Sequence, residues 1–284
     1  MPHLLSLVAC LAFASTVCGV YTPACGGFGA DETFTGICST GESQSPIDIA
    51  LLAVKPGPVM PVYMHYPSGV PVTWNGHKWS VTEPDAYVMR DGEKFNLIQF
   101  HMHAPAEHTI DGVYTPAEAH FVHQNPITGQ LLVIGVRFSG GEGHESLWLE
   151  SLSVATNDDL AGAKYYLPMA GSSMLNGIAG IGFYTYMGSL TAGSCAEDLI
   201  WIVSKYIEPA STAQICSYES TGILETVRHT NPLNGRTVYM GDWFKPPICP
   251  KGCESTMRRR RLLFGAFQDP APDAPSCDGC VAAY

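Results

Sequence analysis

Charge is scarce in this chain, and positive charge scarcest of all. Only 14% of its 284 residues are Asp, Glu, Lys or Arg, and 15 basic side chains stand against 26 acidic ones, a formal net charge of −11. A surface of that sign repels polyphosphate, so nucleic acid is not expected as a partner. Residues 1–19, "MPHLLSLVACLAFASTVCG", lack Asp, Glu, Lys and Arg entirely. The run is short for a spanning helix and ends on small residues, so 1–19 reads as a secretory signal peptide. No later segment is apolar enough to span a bilayer, and "LLFGAF" (262–267) is too short for a lipid-anchor tail, so no stable membrane insertion is expected. There is no Asn-x-Ser/Thr acceptor for N-glycosylation, and no internal repeat is visible.

Ten cysteines become eight once Cys10 and Cys18 leave with the signal. An even count in an exported chain points to disulfides, and the leader points to a secreted, extracellular location or an exported lumenal or periplasmic compartment. The sequence leaves open the pairing of Cys25, Cys216, Cys249, Cys253, Cys277 and Cys280, and the oligomeric state. Residues 20–250 have an even texture of short apolar runs broken by Gly, Pro, Asn and Asp, which reads as one domain. "KFNLIQFHMHA", "EAHFVHQ", "QLLVIGVRF", "IGFYTYMGSL" and "DLIWIVSKY" each read as strands of five to nine residues. "NPITGQ" (125–130) is a turn that makes 118–124 and 131–138 a hairpin. "HESLWLESLSVA" reads as an amphipathic helix with Leu147, Leu149, Leu152 and Val154 on one side. The expected fold class is mainly β with a few short helices. Residues 251–284 differ, with "RRRR" at 258–261 followed by "DPAPDAPSCDGC", and read as a loosely ordered, solvated tail.

Five of the ten histidines lie in "QFHMHAPAEHTIDGVYTPAEAHFVH" (99–123), and no cysteine does. A metal here would rest on nitrogen and oxygen. Alternate residues of a strand share a face, so His101 and His103 project together, about 7 Å apart along the chain. Zn²⁺ held at about 2.0–2.1 Å from nitrogen can lie between them if His120 comes from an antiparallel neighbour. Asp111–Gly112 supplies a turn signal in that connection. His108 and His123 are expected to be ordinary buried imidazoles with hydrogen-bond partners. A cupin barrel also opens its metal motif with His-x-His and a following Glu, which Glu107 would satisfy. Its usual glycine falls at Tyr114, however, and no second cupin motif follows.

Taken together, "QSPIDI" (44–49), "WNGHKW" (74–79), "LIQFHMHA" (97–104), "AEHTID" (106–111), "AEAHFVH" (117–123), "GSLTA" (188–192), "WIV" (201–203) and "NPLNGR" (231–236) resemble the α-class carbonic anhydrases in order and spacing. The resemblance spans roughly residues 25–245. It implies a single domain on a large, twisted, mostly antiparallel sheet, and reversible hydration of CO₂ to bicarbonate and a proton by attack of zinc hydroxide. It assigns His101, His103 and His120 to Zn²⁺, with Gln99 orienting His101 and Glu118 orienting His120. By the same resemblance, Thr191 would hydrogen-bond Glu107 and aim the nucleophile. The match at "NGH" makes His77 the expected proton shuttle, a role suited to an imidazole that titrates near neutrality. Val122, Val133, Leu190, Leu199 and Trp201 would line the CO₂ pocket, with Thr191 and Ala192 also facing substrate. Exported members bridge the positions of Cys38 and Cys195.

Some residues depart from the family pattern. Ala192 stands where a second threonine is common, and His229 where a proline is usual. A relative that has kept the fold as a binding or matrix protein is the alternative reading; such relatives usually lose a zinc histidine, and this chain has all three.

Overall fold

Side chains alternate between the two faces of a strand, so the sequence of each strand decides what each face of the sheet carries. The computed structural model describes residues 34–57, 62–66, 70–75, 78–82, 85–141, 143, 145–153, 164–167, 182–220 and 227–241. The leader 1–19, the tail 251–284, His77, Val154 and Cys25, Cys249, Cys253, Cys277 and Cys280 lie outside them.

The strands are β1 (Asp48–Ile49), β2 (Lys55–Pro56), β3 (Val62–His65), β4 (Val70–Trp74), β5 (Trp79–Val81), β6 (Tyr87–Arg90) and β7 (Glu93–His103). They continue with β8 (Thr109–Ile110), β9 (Ala117–Gln124), β10 (Leu131–Ser139), β11 (Lys164–Leu167), β12 (Phe183–Gly188), β13 (Leu199–Pro209) and β14 (Tyr239–Gly241). Three helices, α1 (Ile37–Thr40), α2 (Leu147–Ser153) and α3 (Thr212–Ser220), complete the described elements, with a 3-10 turn at Leu51–Ala53. Among the described residues, twelve strands form one mixed sheet in the order β11-β4-β5-β7-β9-β10-β13-β12-β14-β2, with β6 also paired to β7 and β3 paired to β6, while β1 and β8 pair separately. Within the large sheet only β10–β13 and β14–β2 run parallel.

The turns have identifiable causes. Between β9 and β10, Asn125 Oδ1 accepts the amides of Ile127 and Thr128 at 2.9 and 3.1 Å, an Asx-type turn. Between β8 and β9, Asp111 and Gly112 both take positive φ (48° and 75°), as a tight hairpin turn demands, and Val113 N–H closes it on the Ile110 carbonyl.

One face of the sheet is aromatic and aliphatic. Trp79, Phe100, Phe121 and Trp148 stack in series, and Met102, Ile134, Val136, Phe138, Ile200 and Ile202 join them. Fully burying each such side chain contributes on the order of 1.5–3 kcal/mol. The alternate residues, Gln99, His101 and His103 on β7, His120 and Val122 on β9, Val133 and Gly135 on β10, Leu199 and Trp201 on β13, therefore face the other way. There they meet a smaller cluster around Ile47, Tyr184 and Tyr186. Fold alternation thus delivers the histidines to one surface.

Two sequence expectations need correction. Leu147 is 68% exposed and does not face the core. Ser146 Oγ accepts the Leu149 amide at 3.3 Å and starts the helix there, so the buried side is Trp148, Leu149 and Leu152. The leucine spacing concealed the tryptophan that docks the helix on Phe100, Phe121 and Phe138. Strands β7 and β13 each run to 11 residues, beyond the expected nine. Pairing with β6 and, past a bulge, with β10 extends them through polar residues where the apolar signal has ended.

Candidate metal centre

The β7–β9 register sets His101 directly opposite His120, and His103 lies two residues along the same face. The three rings converge, with centroids 4.9 Å (His101–His103), 5.3 Å (His101–His120) and 4.6 Å (His103–His120) apart. One nitrogen from each lies within 4.8 Å of the others. His101 Nδ1 is 2.9 Å from Gln99 Oε1; an amide oxygen can only accept, so His101 carries its proton there and leaves Nε2 as the donor atom. Glu118 Oε1 stands 3.2 Å from His120 Nε2, which by the same reasoning frees His120 Nδ1.

Glu118 serves more than His120. Its Oε1 is also 2.8 Å from His108 Nδ1, and its Oε2 accepts the amides of Glu107 and His108 at 3.0 and 2.8 Å. Burial raises its carboxyl pKa, but the two imidazoles and their hydrogen bonds outweigh this and hold it well below the usual carboxylate range. His108 in turn reaches the Tyr186 hydroxyl at 2.8 Å through Nε2, and that hydroxyl lies 2.9 Å from Ser45 Oγ. His108, Glu118 and His120 also cluster tightly enough for a metal. Both nitrogens of His108 are already committed, so that group is a hydrogen-bond network. Gly135, opposite His120 on β10, makes room for it, because a Cβ there would collide with Glu118 Oε1.

Burial, then the neighbouring His120 and Lys78, keep the His101 imidazole well below its ordinary range, against an opposing pull from Glu118. Neutral imidazoles are the form that binds a metal. Glu107 Oε2 lies 3.6 Å from His103 Nε2 and 3.8 Å from His120 Nδ1. Burial pushes Glu107 up to about 8, opposed by hydrogen bonds from the Arg228 amide and the Thr191 side chain. A cation among the imidazoles would favour its ionised form.

Thr191 is buried on the loop after β12, and Ala192 beside it is half-buried. That loop is tied down twice. A Cys38–Cys195 disulfide joins it to α1, and Gln44 Nε2 donates to the Cys195 carbonyl at 3.2 Å. Cys216 on α3 is also disulfide-bonded. Val122, Val133 and Trp201 pair in one row across β9, β10 and β13, with Leu199 and the partly buried Leu190 alongside. Trp201 lies edge-on to His120 at 4.8 Å and donates from Nε1 to the Ser189 carbonyl.

Residues 31–241 match the family model of the eukaryotic-type carbonic anhydrases. This chain belongs to that family. It is 34% identical over 206 residues to a carbonic anhydrase of Pectobacterium carotovorum, covering 71% of this chain and 81% of the relative. A Neisseria gonorrhoeae carbonic anhydrase is 31% identical over 245 residues, covering 82% and 93%. Among solved structures, the α-carbonic anhydrase from Thermovibrio ammonificans superposes with a TM-score of 0.61 at 35% identity, over 72% of this chain and 89% of that one. Carbonic anhydrase Cah3 from Chlamydomonas reinhardtii gives 0.63 at 26% identity, over 76% and 97%. Membership makes this chain an enzyme of the carbonic anhydrase class.

Within that family frame, sequence reasoning missed several supporting groups. Arg228 donates its amide to Glu107 and its guanidinium to Gln44 Oε1, Ser45 O and Cys38 O. Tyr186 holds His108. Arg137 is buried opposite Glu118 across β9–β10. They lie outside the matching motifs, and no local signal marks them, since Arg228 and Tyr186 meet partners distant in sequence.

Proposed function

We propose that this chain hydrates CO₂ reversibly to bicarbonate and a proton with one zinc ion held by His101, His103 and His120. The observation that carries the reading is the convergence of three imidazoles, with the other nitrogen of His101 facing Gln99 and that of His120 facing Glu118. Three nitrogen donors fit zinc and leave a fourth tetrahedral position for water, the pattern of catalytic rather than structural sites. As in carbonic anhydrases generally, bound zinc supplies a Lewis acid that makes water a nucleophile near neutral pH.

The protein's own groups do the rest. Glu107 accepts the Thr191 proton, which turns a hydroxyl lone pair inward and favours a reacting group that brings a proton of its own. The row Val122, Val133, Leu190, Leu199 and Trp201 offers apolar CO₂ a dry wall on the histidine side of the sheet. Ala192 offers bicarbonate no hydroxyl. His77 relays the product proton to buffer, and His77→Ala should slow turnover in dilute buffer and recover with added imidazole. The Cys38–Cys195 bridge supports an exported, oxidising location, and among the described residues no helix is long and apolar enough to cross a membrane.

Elemental analysis tests the ligand set. The purified protein should hold one zinc per chain, and His120→Ala should lose most of it. Full zinc occupancy in His120→Ala would remove His120 from the site.

A further inference from the structure

Strand β5 pairs with β7 through Trp79↔Phe100 and Ser80↔Gln99. Carried one residue further, the same register sets Lys78 opposite His101. Residues directly opposite in an antiparallel pair share a face, with Cβ atoms about 4.5–5.5 Å apart. Lys78 therefore stands on the histidine side of the sheet, one strand out from the first ligand. Its backbone is fixed there, the amide donating to Asn75 Oδ1 at 2.9 Å and the carbonyl accepting from Asn75 N–H at 3.3 Å.

Lys78 is half-buried, although lysine ordinarily keeps its ammonium in open water. No described residue gives that ammonium an ion pair or hydrogen bond. The acids of the site are already engaged, Glu107 by Arg228 and Thr191 and Glu118 by His108 and His120. Among the described residues the ammonium therefore has no counter-charge of its own.

We propose that Lys78 is an anion-guiding residue of this site, drawing bicarbonate and other small monoanions to the cleft beside His101. The inference rests on the zinc-site reading above. Its physical need lies in the whole chain, whose formal charge of −11 repels an anionic product or substrate on approach. One half-buried cation on the histidine face opposes that field locally, while CO₂, which is uncharged, is indifferent to it. A unit charge on the same face of the sheet, partly screened by water, should strengthen monoanion binding on the order of three- to tenfold.

The test compares the zinc-loaded protein with Lys78→Met, which keeps length and loses charge, and with Lys78→Arg, which keeps charge. Thiocyanate binding is measured by calorimetry, and bicarbonate as product inhibitor of CO₂ hydration, both at low ionic strength. Lys78→Met should weaken both about three- to tenfold, with KM for CO₂ moving less than about twofold. Lys78→Arg should restore most of the loss, and high salt should close the gap between the chains. Equal thiocyanate affinity in Lys78→Met and the unmodified protein would overturn the proposal. A zinc-loaded protein that hydrates no CO₂ would contradict the functional reading instead, and the thiocyanate comparison would still decide the role of Lys78.

Discussion

The His123 ring is buried, with Nδ1 pointing at the Leu132 carbonyl 3.3 Å away and Nε2 2.6 Å from the Tyr66 hydroxyl. A carbonyl can only accept, so the proton sits on Nδ1 and Nε2 takes the phenol's hydrogen. A second proton on the ring would face an O–H already pointing at it in a dry interior. Burial accordingly lowers the imidazole to about 4, against hydrogen bonds to the Leu132 and Phe121 backbone that favour the charged form. The unfolded chain titrates at the ordinary value near 6.5, so between about 6.5 and 4 it binds more protons than the folded one. The stability is whole above pH 6.5 and drains away as pH falls to 4, by about 3 kcal/mol for this residue. Urea unfolding at a series of pH values should show that slope, and His123→Gln should flatten it; an unchanged slope in the variant would place the acid sensitivity elsewhere. Both His123 and His108 read from sequence as buried, partnered imidazoles. What sequence could not show was the partner: Tyr66 is 57 positions away and Tyr186 is 78 from His108, distances that only the sheet order closes.

Among the elements, β7 and β9 were legible because they alternate where the histidines lie, with apolar Phe100, Met102 and Phe121 on one face and His101, His103 and His120 on the other, although a bulge between Leu97 and Gln99 breaks the period earlier in β7. Helix α2 was legible in place but not in rotation, since four leucine and valine positions outweighed one tryptophan in the reading. The loop between β12 and β13 has no periodicity at all. Its shape comes from what holds it, the Cys38–Cys195 bridge across 157 positions together with Gln44 and Glu197. Closing so long a loop should stabilise the native state by about 3–5 kcal/mol on the chain-entropy model. The double variant Cys38→Ser/Cys195→Ser should lower the melting temperature. It should also lower turnover, because Thr191 rides on the tethered loop and loses its fixed approach to the site. Lower stability with full turnover, measured well below the melting temperature, would mean that Gln44 and Glu197 suffice to place Thr191.

For the whole molecule, the even strand-and-turn texture of residues 20–250 was enough to expect one β-rich domain. The mixed sheet was not legible in full, because the parallel β10–β13 contact joins strands with more than 60 residues between their starts and no local signal marks it. Yet this contact is what carries Trp201 against His120 and completes the apolar row with Val133. Fold and site are therefore one construction, in which one sheet face carries three imidazoles, Gln99 and Glu118 beside them, and the apolar row proposed to receive CO₂. Stopped-flow measurement of CO₂ hydration by the purified protein, before and after chelation and again after zinc is restored, tests that account most directly. Turnover well above the buffer rate, lost on chelation and regained with zinc, is the predicted result. Turnover that survives complete removal of zinc, or no turnover in a protein carrying one zinc per chain, would contradict it.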